Sequence, residues 1–93
     1  MNKVIYKYSI SLNDTILLQL PKNAEILFVE TQNDKPFIWC LINHELELEP
    51  RYFYLYGTGH IIEDEKDYQK VYLGTFKLLN DSLILHLFER ISK

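Results

Sequence analysis

Chemistry is most available at Tyr56-Gly57-Thr58-Gly59-His60, where two of the chain's three glycines flank one threonine. Consecutive backbone N–H groups freed by glycine can form a concave nest that holds phosphate or carboxylate. His60 and the upstream Arg51 add positive charge, and Tyr54 and Tyr56 offer rings on which a base can stack. Arg51, Tyr54, Tyr56, Gly57, Thr58, Gly59 and His60 are therefore the candidate ligand-binding residues. No P-loop lysine motif and no G-x-G-x-x-G pattern surrounds them. The plainer reading is that both glycines supply positive φ in a loop.

The remaining reactive side chains point away from catalysis. His44, His60 and His86, with Glu45 or Asp64 nearby, lack the close His-x-His or Cys-x-x-Cys spacing of a metal site, so no metal or cofactor is expected. His86 lies between Leu85 and Leu87 and reads as a histidine at the core edge with one hydrogen-bond partner. Cys40 sits in Phe37-Ile38-Trp39-Cys40-Leu41-Ile42, whose apolar flanks disfavour the thiolate. No nucleophile and orienting carboxylate can be set beside a histidine from the sequence, so binding is expected in place of catalysis. Tyr52, Tyr54 and Tyr56 form an aromatic stripe suited to a partner surface or a core face. The acidic stretches 45–49 and 63–67 read as solvated loops, because a net charge of −3 is weak for imitating phosphates.

Composition bounds the rest. Ninety-three residues make a single domain over 1–93, small enough that self-association is expected to add stability. Ten Lys and Arg, scattered along an acidic chain, argue against general nucleic-acid binding. One cysteine forms no internal disulfide, and a reducing, cytoplasmic setting is the default. No apolar run approaches ~18 residues, so no membrane span is expected, and the start lacks a secretory signal's apolar region.

The elements that must position these residues are strands. Residues 4–10 alternate, with Val4, Tyr6, Tyr8 and Ile10 on one face. Further strands are expected over 15–20, ending at Pro21, over 24–31, and over 37–42. The last of these is apolar on both sides and so is expected to be central and covered on both faces. Glu and Leu alternate over 45–49 as a loop or short strand. Residues 51–56 put Arg51, Phe53 and Leu55 on one side and the tyrosines on the other. Residues 70–78 and 82–89 form a final hairpin turning at Asn80-Asp81, and Asn33-Asp34 marks another. Gly74 inside a strand signals a bulge or a close approach. One helical turn is expected near 63–68. About seven short strands make an all-β antiparallel sandwich or small barrel with little helix.

These features together resemble a family of small uncharacterised domains, of unknown function, found in bacteria and their phages. The likeness rests on Ile5-Tyr6-Lys7-Tyr8, Leu20-Pro21, Ala24-Glu25-Ile26-Leu27 and Trp39, then on Tyr56-Gly57-Thr58-Gly59-His60, Gly74-Thr75-Phe76 and His86-Leu87-Phe88-Glu89. Relatives look more glycine-rich at the two turns that carry Asn-Asp here. The resemblance implies a phage or prophage origin and, in the host cytoplasm, an accessory factor acting against host defence. The expected function is non-enzymatic capture of a small anionic, nucleotide-derived ligand. The alternative is direct inhibition of a bacterial defence protein or other host protein, in the manner of an anti-CRISPR.

Overall fold

A computed structural model describes residues 2–93. Seven strands form two sheets: β1 (Val4–Ser9), β2 (Thr15–Pro21), β3 (Glu25–Gln32), β4 (Lys35–Ile42), β5 (Leu48–Gly57), β6 (Tyr68–Leu78) and β7 (Leu83–Ser92). One sheet has the order β1-β4-β3 and the other β2-β5-β7-β6. Every paired neighbour is antiparallel. The expected all-β fold is thus an open sandwich and not a closed barrel.

Alternation along each strand sorts side chains into the core. Val4, Tyr6 and Tyr8 oppose Ile42, Cys40 and Ile38 on the inner face of the three-stranded sheet. Ile16, Leu20, Phe53, Leu55 and Leu87 meet them from the other sheet, all buried in one cluster. Two bulges keep this sorting intact. In β6 the register shifts between Tyr72 and Gly74, which inverts the alternation and turns Phe76 and Leu78 inward. At that bulge a Cβ on Gly74 would lie 2.9 Å from the Val29 Cβ, so the missing side chain is what lets β3 approach. A second shift between Ile26 and Phe28 does the same for β3 and brings Val29 inward.

Asn and Asp take the place of turn glycines. Asn33 and Asp34 have φ of 54° and 60°, the left-handed pair that a two-residue hairpin requires. Asn23, Asn80 and Asp81 are also left-handed, together with Leu79. Pro21 ends β2 as expected.

Three expectations are corrected. β4 is central in its sheet, but only Pro36, Ile38, Cys40 and Ile42 are buried in it. Phe37, Trp39 and Leu41 are half-exposed on the outer side, where the Lys7 ammonium rests 4.6 Å from the Phe37 ring centroid and 5.5 Å from that of Trp39. Residues 63–68 contain no helical turn; the segment is irregular, with a bend just before β6. Residues 44–46 turn, and β5 already begins at Leu48, carrying Pro50 within it.

Candidate functional site

The outer face of the four-stranded sheet gathers rings and cations. Register places Tyr54, Phe88 and Tyr72 in one row across β5, β7 and β6, and Tyr56, His86 and Thr75 in the next. Arg90 stands beside Lys70, and Lys77 beside Ile84. No carboxylate occupies these strand positions, although the chain is acidic overall. The Arg90 guanidinium carbon lies 4.3 Å from the Tyr68 centroid and 5.4 Å from that of Tyr52. Tyr54 and Tyr68 are stacked at 6.2 Å, and Tyr56 and Tyr72 each meet Phe88 edge-on at 5.5 Å.

A strap crosses this face. β5 and β6 both run antiparallel to β7, which separates them, so they are parallel to each other. Residues 58–67 must therefore travel back along the sheet to join them. The strap is pinned where Lys70 Nζ donates to Glu63 O at 2.9 Å and Lys93 Nζ donates to Glu65 O at 2.7 Å. The Lys70 ammonium also lies 5.4 Å and 5.7 Å from the Tyr54 and Tyr56 centroids, which leaves its side chain only 11% exposed. A hydrogen bond with Tyr56 holds the Lys70 pKa above its ordinary value against the opposing effect of desolvation. Tyr68, hydrogen-bonded to Tyr54, is pushed up to about 12.

The glycine segment forms the turn that starts the strap. The His60 N–H donates to Gly57 O at 3.1 Å, and the Gly57 N–H donates to His60 Nδ1 at 3.1 Å. A Cβ at residue 57 would sit 2.8 Å from His60 Cε1, whereas Gly59 is needed for its φ of +88°. The two glycines thus have different reasons: one admits the imidazole and the other reverses the chain. Since the Gly57 N–H is already bound by His60, this turn is a carrier for the imidazole more than an open anion nest. The imidazole lines a cavity of about 350 Å³ together with Tyr54, Tyr56, Ile61, Thr15 and Asp14.

A family model matches residues 1–93. The chain belongs to the family described as Domain of unknown function (DUF7352). No curated protein matches, and no solved structure does.

In this DUF7352 chain the residues singled out from sequence divide in two. Tyr54, Tyr56 and His60 share the cavity, and Gly57, Thr58 and Gly59 form the turn that delivers His60 to it. Arg51 does not join them. It faces between the sheets, where Nε and Nη2 donate to Glu89 at 2.6 and 2.8 Å and Nη1 donates to Ala24 O at 2.6 Å. Strand alternation requires this, because Arg51 shares the side of the buried Phe53 and Leu55. The Glu89 hydrogen bond raises the Arg51 pKa further above its ordinary value.

Two features of the DUF7352 site escaped the sequence reading. Lys70, where Arg51 was expected, is the cation lying against Tyr54 and Tyr56, although it lines the neighbouring cavity, and Tyr68-Gln69-Lys70-Val71-Tyr72 carried a legible sign in its own alternation. The second is a hydrogen-bonded chain along the outer face. Tyr72 Oη lies 2.6 Å from Thr75 Oγ1, which lies 2.8 Å from His86 Nδ1. His86 Nε2 in turn lies 2.7 Å from Thr58 Oγ1. His86 therefore has two partners where one was expected. Both are hydroxyls, so the imidazole lacks the carboxylate that stabilises an imidazolium in a hydrolytic triad. Cys40 is fully buried, and burial pushes its thiol up to about 11, away from nucleophilic use at neutral pH. Among the described residues, no group of three or more His, Cys, Asp or Glu is placed to hold a metal, and no helix is long and apolar enough to cross a membrane.

Proposed function

We propose that this domain binds and does not catalyse, and that it captures a small anionic, nucleotide-derived ligand at the Tyr54–Tyr56–His60 cavity. The observation that carries the proposal is the meeting of two tyrosine rings and an imidazole at one opening of about 350 Å³, with the Lys70 ammonium against the same two rings from the neighbouring cavity under the strap. That volume lies within the range of small-molecule sites, toward its lower end. The rings and imidazole suit a planar base, Lys70 suits a phosphate, and the Asp14 carboxylate accepts from a base amino group or a ribose hydroxyl. In the phage setting implied by the resemblance, sequestering such a ligand would disarm a nucleotide-signalled host defence.

Thermal denaturation of the purified protein across cyclic and linear nucleotides tests this directly. A true ligand at one hundred times its Kd raises apparent stability by about 2.7 kcal/mol. Tyr54→Leu and Lys70→Met should each abolish that gain. Absence of stabilisation by every nucleotide removes the reading. The alternative, direct inhibition of a host protein, draws support from Tyr52 and from Tyr72, which is 55% exposed on the same face.

A further inference from the structure

A second cavity lies at the opposite end of β5, about 30 Å from Gly57 at the strand's rise per residue. It encloses about 360 Å³ and is lined by Lys3, Lys22, Asn23, Leu41, Asn43 and Leu46. The turn after β2 forms one wall, closed by the Ala24 N–H donating to Pro21 O at 3.1 Å. The segment between β4 and β5 forms the other, and the Lys22 N–H ties the two together by donating to Glu47 O at 2.9 Å.

Asn43 identifies what this cavity takes. The residue is only 6% exposed, and its Oδ1 already accepts the Glu45 N–H at 3.0 Å. Its Nδ2 makes no hydrogen bond among the described residues, yet no buried side-chain nitrogen or oxygen there is both sealed and unpartnered. Nδ2 is therefore reached by solvent, and Asn43 is one of the residues that line the cavity. A buried amide donor left without a partner costs stability unless water or a ligand accepts from it. Lys3 and Lys22 add further donors, while Leu41 and Leu46 give an apolar lining. The Glu47 carboxylate is 2.9 Å from Lys22, in a pair exposed on both sides and thus cheap to exchange.

We propose that this cavity is a binding site for a small organic carboxylate: an anionic head accepted by Asn43 Nδ2 and the two ammonium groups, on an apolar body lying against Leu41 and Leu46. It is distinct from the nucleotide cavity and goes beyond that reading.

The test follows the side-chain amide of Asn43 in ¹⁵N–¹H correlation spectra, with benzoate, benzyl alcohol and inorganic phosphate as probes. Benzoate should shift the Asn43 Nδ2 pair saturably at millimolar concentration, and the neutral alcohol should leave it in place. Lys3→Met and Lys22→Met should each weaken benzoate about tenfold, the loss expected of a hydrogen bond to a charged group. Lys70→Met, which disables the nucleotide cavity, should leave benzoate affinity unchanged, so the two sites succeed or fail separately. Phosphate binding as tightly as benzoate would overturn the apolar body. Equal shifts with benzoate and benzyl alcohol would overturn the anionic head, and no shift with any probe would overturn the site.

Discussion

Arg51 and Glu89 offer the sharpest perturbation, because structure and charge pattern assign Arg51 opposite roles. Glu89 is 5% exposed, and its two oxygens receive two of the three hydrogen bonds that Arg51 donates. Arg51→Met leaves that carboxylate buried without a cation and removes the side-chain donor from Ala24 O. Breaking a buried pair from one side costs about 3–5 kcal/mol. A chain of this length holds roughly 5–14 kcal/mol in all, so the variant should lose at least about 12 °C in Tm. Arg51→Met with Glu89→Leu removes the stranded charge and should recover most of that loss. Urea unfolding followed by circular dichroism, run as a double-mutant cycle, measures the coupling. If Arg51→Met costs less than about 1 kcal/mol and instead weakens nucleotide binding, the assignment reverses and Arg51 is a ligand residue.

Two further outcomes are expected. The Cys40 thiol ionises near 9.0 when unconstrained and near about 11 in the fold, so between these values the folded state holds the extra proton and stability falls as pH rises. That loss is about 2–3 kcal/mol by pH 11; it should vanish from the pH profile of Cys40→Ala, and thiol reagents should label wild type only on unfolding. Gly74→Ala should destabilise by about 1–3 kcal/mol through its contact with Val29, with Val29→Ala partly rescuing it in thermal melts.

Much of the fold was legible because its rules are local. Alternation in residues 4–10 and 51–56 sorted the side chains into the two faces that the strands present, while leaving open which face of 51–56 was the inner one. Asn-Asp pairs marked the hairpins through their tolerance of left-handed φ, and Gly74 marked both a bulge and a close approach. The covering of β4 was misjudged because an aromatic residue such as Trp39 can be half-exposed when a lysine stem shields it, and apolarity alone does not separate the cases. The candidate site mixed two faces. Alternation had already set Arg51 opposite Tyr54 and Tyr56, but its charge drew it into the ligand set. Lys70 and His86 reach the site only through the pairing of β7 between β5 and β6, a long-range arrangement that no local pattern carries.

That insertion of β7 also bears on how the chain assembles during synthesis. β6 has no partner in its sheet except β7, the last strand. While residues 83–92 are missing, β6 has no strand to pair with in that sheet and β5 keeps only β2. The strap then has no completed surface to lie across, and Glu89 is absent, leaving Arg51 without its carboxylate. Nothing upstream can finish the four-stranded sheet early. Completion of the larger layer is a late event that waits on the C-terminal hairpin, and a chain shortened before Leu83 loses the ligand surface and the interior ion pair together.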